Sequence, residues 1–305
     1  MNTPSSTSSL WTRLRKDSRH EQVLLVLVVA EFTLFAFTAR NFTSQANLTN
    51  IFRHSTEIGM LALAMMPVIL AGGIDLSVGS LVGLSAVVFG ELTHTLQLPT
   101  LPAVLLTLIL ATLCGALNGW LITARKLPPL IVTLGTLSLF RGLAEAITQG
   151  TKTYRAFTPS FLELSDLSIL GIPLQTILFL AVAVTVFLVV HQTVTGLQLR
   201  ACGFSPEGAL HAGIPGHRRI SATYCFSGLI AGVSALLLTS RLHQARADAG
   251  TGYELAAITA VVLGGSSIFG GKGTVFGTLL GIAAIALLNN AIGRIPAVFK
   301  LGIGN

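Results

Sequence analysis

Long apolar runs dominate this chain and constrain its fold more than any other feature. Nine runs lie at residues 23–39, 58–74, 76–96, 101–123, 130–148, 169–190, 220–240, from about 254 onward, and 273–289. Most approach or reach the roughly 20 residues that a helix needs to cross a bilayer core. Because lipid offers the backbone no hydrogen bonds, a spanning segment must be a helix or part of a closed barrel. The runs predict an all-α polytopic membrane protein with about nine transmembrane helices.

The composition supports a single membrane domain. Charged residues make up 10 % of the chain and hydrophobic residues 52 %, whereas soluble domains contain about 25 % charged residues. No polar segment is long enough for a second domain, so residues 23–290 are predicted to form one transmembrane domain between an N-terminal tail, 1–22, and a short C-terminal tail, 291–305. The net charge of +7 is spread over short loops, which indicates contact with membrane lipids rather than with nucleic acid.

Cations before the first run set the predicted orientation. They are Arg13, Arg15, Lys16 and Arg19. A signal peptide begins in a similar way, but the many later runs favour an uncleaved first span whose N-terminus stays in the cytoplasm. Counting crossings from there places the polar loop at residues 191–219 in the cytoplasm.

A glycine-rich corner with one carboxylate separates the second run from the third. It reads GGIDLSVGS, residues 72–80. A carboxylate at membrane depth needs a partner or water. We expect Asp75 either to cap the helix that starts at Leu76, by accepting the N–H of Ser77 or Val78, or to line a polar passage, contact substrate or serve packing or gating. The predicted translocation or packing motif comprises Gly72, Gly73, Asp75, Ser77, Gly79 and Ser80.

Two further pairs of residues have helical spacing inside apolar runs. Gly79 and Gly83 have the small-xxx-small spacing that permits close approach of another helix. Arg141 and Glu145 lie four residues apart, which predicts a membrane charge pair on one helix face, where the two charges can neutralise each other. This pair is either an internal ion pair or part of a polar pathway.

The loop at residues 191–219 contains the signals of a short helix in FSPEGALHAGI, residues 204–214. Ser205 suits the N-cap, Pro206 the first helical position and Glu207 the positive helix end. Gly213 is a natural stop. The capped surface helix is either a point where a partner acts or an ordinary loop helix. Its candidate coupling residues are Ser205, Pro206, Glu207, Gly208, Ala209 and Gly213.

No combination of residues predicts catalysis, a metal site or a bound cofactor. The sequence lacks G-x-S-x-G, H-E-x-x-H and paired carboxylates near a histidine. The segment GGSSIFGGKGT, residues 264–274, departs from the P-loop pattern because Lys272 is followed by Gly273. The seven histidines lack metal-ligand spacing, and the three cysteines form no CxxC. The chain is therefore predicted to be neither an enzyme nor an ATP-binding protein.

Four ordered segments resemble the bacterial ABC-importer permeases for ribose, other monosaccharides and autoinducer-2. They are GGIDLSVGS at 72–80, IVTLGTLSLFRGL at 131–143, the segment around 205–214, and GTGYELAAITAVVLGGSSIFGGKG at 250–273. The resemblance runs from about residue 42 to 290. The segment around 205–214 resembles the loop where these permeases meet their ATPase.

The resemblance implies an inner-membrane transport subunit that moves a monosaccharide (a pentose, hexose or deoxyhexose). It implies that ATP binds to partner subunits and not to this chain. It implies a second permease chain in a homo- or heterodimer, two cytoplasmic ATP-binding-cassette ATPases, and a periplasmic sugar-binding protein. Members of this family usually continue through one more hydrophobic segment. The short tail at 291–305 therefore leaves two alternatives, a fold with nine crossings or a truncated or frame-shifted chain that lacks a final helix. The alternative is an ion-coupled secondary transporter of a small polar solute, which would use Asp75 and Glu145.

Overall fold

The computed structural model describes residues 7–169, 172–292 and 294. These residues are largely helical and confirm the all-α class. The helices are α1 (Thr7–Thr38), α2 (Gln45–Leu70), α3 (Val78–His94), α4 (Thr100–Thr123), α5 (Pro129–Thr148), α6 (Pro159–Leu162), α7 (Leu174–Gln192), α8 (Val194–Phe204), α9 (Pro206–His211), α10 (Gly216–Leu242), α11 (Tyr253–Leu263) and α12 (Val275–Ile292). A 3-10 turn, Glu163–Ser165, and a hairpin of β1 (Ser168–Ile169) and β2 (Ile172–Pro173) complete the described elements.

Six helices among the described residues are long and apolar enough to cross a membrane: α1 from Arg19, α4, α5, α7, α10 and α12. Two shorter apolar helices, α3 and α11, add to them, and α2 is a further helix of 26 residues. Each of the nine predicted runs thus falls on a helix. The sixth run starts later than predicted, at Leu174, because the residues just before it form the antiparallel hairpin.

The second half of α2 forms the centre of the core. Every residue from Gly59 to Leu70 is buried. Around it, α10 packs along α4 and against α2 and α3, while α7, α11 and α12 contact other faces of α2. The α4–α10 approach depends on small residues, because a Cβ added to Gly228 would lie 3.0 Å from the Gly115 Cα and overlap the Ala111 carbonyl. This close packing without side chains is typical of membrane helices.

The described parts of the two predicted tails, 1–22 and 291–305, are largely helical. Residues 7–22 belong to α1, which continues without a break to Thr38, and residues 1–6 lie outside the described residues. At the other end α12 continues to Ile292, and the rest of the predicted C-terminal tail, apart from Arg294, also lies outside them.

The segment 191–219 holds more helix than predicted. The short helix predicted after Ser205 is present as α9, but α8, an 11-residue helix, precedes it. The chain therefore leaves α7 through two consecutive helices before it enters α10.

Candidate functional site

The glycine corner lies between the end of α2 and the start of α3. After Leu70 the chain folds back on itself, with the Gly72 N–H donating to Ile69 O and the Gly73 N–H to Val68 O, both at 2.9 Å. Gly72 has a φ of +83°, a conformation that glycine adopts without strain. A Cβ on Gly73 would lie 2.5 Å from the Tyr224 hydroxyl oxygen, so the turn packs directly against α10.

Asp75 is the centre of a buried polar cluster at this corner and is only 2 % exposed. Its Oδ1 accepts the backbone N–H of Ser77 at 3.0 Å and the Ser77 hydroxyl at 2.7 Å. Its Oδ2 accepts the Ser227 hydroxyl of α10 at 3.0 Å. The predicted bond to the Ser77 N–H is present, whereas the helix starts at Val78 rather than at Leu76. Three donors thus compensate for the burial of the carboxylate.

Neighbouring helices extend this Asp75 cluster. Asn118 on α4 donates its amide to the Ser77 hydroxyl oxygen at 2.8 Å. The carbonyl of Ile74 accepts from Thr133 on α5 at 3.2 Å and from Tyr224 on α10 at 3.5 Å. Side chains from α4, α5 and α10 therefore hold one turn in place. Sequence reasoning missed Asn118, Thr133, Tyr224 and Ser227, because a polar residue in an apolar run gives no sign of which turn it contacts.

The small face of α3 accepts charged side chains and a loop rather than another bare helix. A Cβ on Gly79 would overlap Glu254 Oε2 and lie 2.5 Å from the Gly250 carbonyl oxygen. A Cβ on Gly83 would lie 2.8 Å from Arg141 Nη1 and 2.6 Å from the Ala247 carbonyl oxygen. The glycine spacing does permit a close approach, but its partner is the segment that joins α10 to α11.

Arg141 and Glu145, the predicted membrane charge pair, lie on one helix but do not form a direct ion pair among the described residues. Glu145 is exposed. The Arg141 Nη1 donates instead to the carbonyls of Ala247 and Ala249. Glu254 and, more weakly, the predicted partner Glu145 both attract the guanidinium electrostatically. The guanidinium therefore ties α5 to the α10–α11 segment across more than 100 residues of sequence.

The start of α11 has a sequence match to a capping box but a different geometry. Thr251 and Glu254 match a T-x-x-E capping box in sequence, but the helix begins at Tyr253 with Gly252 as its N-cap. The Thr251 hydroxyl donates to Asp248 O at 2.7 Å. Glu254 still accepts a backbone N–H, that of Gly252, at 3.2 Å.

The candidate coupling segment, residues 204–214, has the predicted local structure. The Ser205 hydroxyl oxygen accepts the Gly208 N–H at 3.1 Å, Pro206 is the first residue of α9, and Glu207 lies in its first turn. Ala209, in the middle of α9, is buried. Gly213 follows the helix with a φ of +71°, which explains why the helix stops there.

The structure brings the coupling segment and the glycine corner together through α8. Gly203, in the last turn of α8, contacts the end of α2, because an added Cβ would overlap the Leu70 carbonyl and lie 2.5 Å from Gly271 N. The Gly271 N–H in turn donates to Leu70 O at 2.8 Å. Burial raises the pKa of the adjacent Cys202 thiol, so this thiol serves as a neutral packing group. Gly203 was missed because α8 was not predicted.

Comparison with known proteins identifies the family. The model of the family described as branched-chain amino acid transport system / permease component matches residues 47–301. The chain belongs to this permease family. Among its relatives, the autoinducer 2 import system permease protein LsrD of Escherichia coli is 39 % identical over 240 residues, which covers 77 % of this chain and 72 % of the relative. The protein of the same name from Shigella flexneri matches equally well. No solved structure matches.

Membership of this family defines the role of the chain. The chain is a multi-pass membrane protein, and its role is that of the permease subunit of an ABC-type importer. The Asp75 cluster and α9 are its two candidate functional sites.

Proposed function

We propose that the chain is the permease of an ATP-driven importer in the bacterial inner membrane and carries a neutral monosaccharide or a sugar-like signal such as autoinducer 2. The single observation that best supports transport driven by ATPase partners is the contact between Gly203 and Leu70. It joins the helix that precedes the exposed coupling segment to the buried turn that holds Asp75. A displacement of the exposed segment can therefore be transmitted through this contact to the buried turn.

In the proposed mechanism, ATPase subunits bind at α9 on the cytoplasmic face and move it as a rigid piece with α8. The last turn of α8 presses on the end of α2 through backbone contacts at Gly203 and Gly271, without flexible side chains between them. The glycine corner then shifts together with α3 and α10, because the Asp75 cluster binds the three segments. This shift changes the passage from outward-open to inward-open.

In this mechanism the motif at residues 72–80 serves packing and transmission. Asp75 is buried and accepts hydrogen bonds from three donors, so we propose that it fixes the corner and does not contact substrate. The same arrangement speaks against the ion-coupled alternative, in which a membrane carboxylate would need to exchange a proton or sodium ion with solvent.

The proposed assembly contains this chain, a second permease chain, two cytoplasmic ATPases and a periplasmic sugar-binding protein. The N-terminus of α1 and the α8–α9 segment lie on the cytoplasmic side. ATP binds to the partner subunits, and this chain binds no cofactor.

Uptake in whole cells tests the energy source. Cells that express the complete importer receive radiolabelled autoinducer 2 or D-ribose, and either ATP is depleted with arsenate or the proton gradient is dissipated with an uncoupler. We expect ATP depletion to abolish accumulation and short uncoupler treatment at a maintained ATP level to spare it. The opposite pattern would overturn the proposal in favour of ion coupling.

A further inference from the structure

A cavity of about 280 Å³ lies at the end of α2 that is opposite the glycine corner. It opens between α2, α11 and α12. Its lining residues are Ile51, His54, Ser55, Ile58, Ala260, Ile282, Ile285, Ala286, Asn289 and Asn290. Small-molecule sites usually measure about 300–1,000 Å³, so this cavity suits a ligand at the small end of that range.

The polar groups of the cavity are neutral hydrogen-bonding groups. Asn289 is exposed and its amide has no partner among the described residues, so it offers both donors and an acceptor. The Ser55 hydroxyl donates to Ile51 O at 2.5 Å and keeps its lone pairs free. Asn290 is already held in a reciprocal amide pair with Asn47, at 3.0 and 3.1 Å, which fixes this end of α12 against α2.

A buried ion pair holds His54 in a defined state. Arg241 on α10 donates from Nε to Glu57 Oε1 at 2.8 Å, and its Nη1 lies 2.9 Å from His54 Nδ1. A guanidinium has no acceptor, so Nδ1 must carry the lone pair. The proton of the neutral ring is therefore on Nε2, which makes that atom a donor. Glu57 is 1 % exposed in its side chain, so a buried carboxylate positions Arg241.

The remaining wall is aliphatic, and none of the described residues that line the cavity is charged. Charged ligands would lose hydration there without gaining a counter-ion. A neutral molecule with several hydroxyl groups fits better, because Asn289, His54 and Ser55 supply donors and acceptors while the aliphatic wall covers its carbon-bound hydrogens.

We infer that this cavity is a solute-recognition site in the passage and binds one neutral, polyhydroxylated molecule of monosaccharide size. The inference rests on the proposed function, and it names the residues that contact the solute. Asn289, His54 and Ser55 bind its hydroxyl groups. Arg241 is a positioning residue that acts through His54, and Glu57 holds Arg241.

Transport by the complete importer in proteoliposomes provides the first test. Uptake of radiolabelled autoinducer 2 and D-ribose is measured at saturating binding protein for the unmodified complex and for Asn289→Ala and His54→Ala. We expect each substitution to lower maximal uptake about fivefold, the effect of one lost neutral hydrogen bond, when equal amounts of assembled complex are compared. Asn50→Ala is the matched control, because Asn50 is an exposed asparagine on α2 outside the cavity, and it should transport normally.

Chemical labelling gives a second readout that does not depend on turnover. In a complex whose permease has Cys114, Cys202 and Cys225 replaced by serine, Asn289→Cys and Asn50→Cys are each reacted with a membrane-impermeant maleimide. Millimolar D-ribose or autoinducer 2 without binding protein should slow labelling at position 289 and leave position 50 unchanged.

The outcomes separate the site from the function. If the unmodified complex transports either solute with ATP, but the 289 and 54 variants match Asn50→Ala and neither solute protects position 289, the site is overturned and the importer function stands. If the unmodified complex transports neither solute, the proposed function fails and the site fails with it.

Discussion

Ser227 on α10 donates its hydroxyl to Asp75 Oδ2 at 3.0 Å, although the two residues are 152 positions apart in the chain. This bond closes the Asp75 cluster, because the other carboxylate oxygen is taken by Ser77. Through it, the turn between α2 and α3 is joined to α10, the helix that packs most extensively on α4.

Substitution of Asp75 by alanine should destabilise the protein. It leaves the Ser227 hydroxyl and the Ser77 N–H buried without an acceptor, at about 1–3 kcal/mol for each unpaired group. Asp75→Asn should lose less, because the amide oxygen still accepts. Thermal unfolding in detergent, followed by tryptophan fluorescence, measures the difference.

Ser138→Ala is the control for this experiment. The Ser138 hydroxyl is exposed on α5, and its one bond among the described residues goes to Leu134 O within its own helix, so its removal should change the midpoint little. An Asp75→Ala protein as stable as Ser138→Ala would contradict the structural role of the carboxylate.

Two glycines in membrane helices should respond oppositely to alanine. A methyl group on Gly79 would overlap Glu254 Oε2, whereas one on Gly135 of α5 would meet no atom within 4 Å. We expect Gly79→Ala to lower the yield of folded protein and its unfolding temperature. Gly135→Ala should be neutral or stabilising by about 0.5–1 kcal/mol, because alanine has the higher helix propensity. Equal behaviour of the two variants in size-exclusion and unfolding assays would show that α3 does not pack as described.

Charge reversal at Glu207 should uncouple transport from ATP hydrolysis. The residue lies in the first turn of the exposed α9, where a negative charge stabilises the helix and a positive one opposes its dipole. With Glu207→Arg we expect normal membrane levels and continued ATP hydrolysis by the partner subunits, but reduced uptake. The matched control is Glu163→Arg, an equally exposed reversal in the first turn of the 3-10 helix, which should leave uptake intact. If uptake is unchanged in Glu207→Arg, α9 is not the coupling helix.

The sequence predicted well the features that depend on local chemistry. Long apolar runs become helices because lipid leaves the backbone no other partner, and Ser205, Pro206 and Gly213 define α9 because capping involves only adjacent residues. The bond from Asp75 to the Ser77 N–H is likewise a contact between near neighbours.

Long-range partners could not be predicted in the same way. Arg141 was paired with Glu145 by helical spacing, but the guanidinium contacts a segment that only the tertiary fold brings near. Glu57 was missed because the second run was taken to start at residue 58, and its partner Arg241 is 184 residues away. The helix α8 was missed because it lies within a polar loop whose only marked capping signals belong to α9.

Reconstitution with and without the ATPase subunits tests most directly whether a separate nucleotide-hydrolysing partner drives this permease. Proteoliposomes receive the permease alone or with the ATPases, and the accumulation of radiolabelled autoinducer 2 from loaded binding protein is followed with ATP or with an imposed proton or sodium gradient. We predict uphill accumulation only when the ATPases and ATP are both present. Accumulation by the permease alone in response to an ion gradient would contradict the proposal.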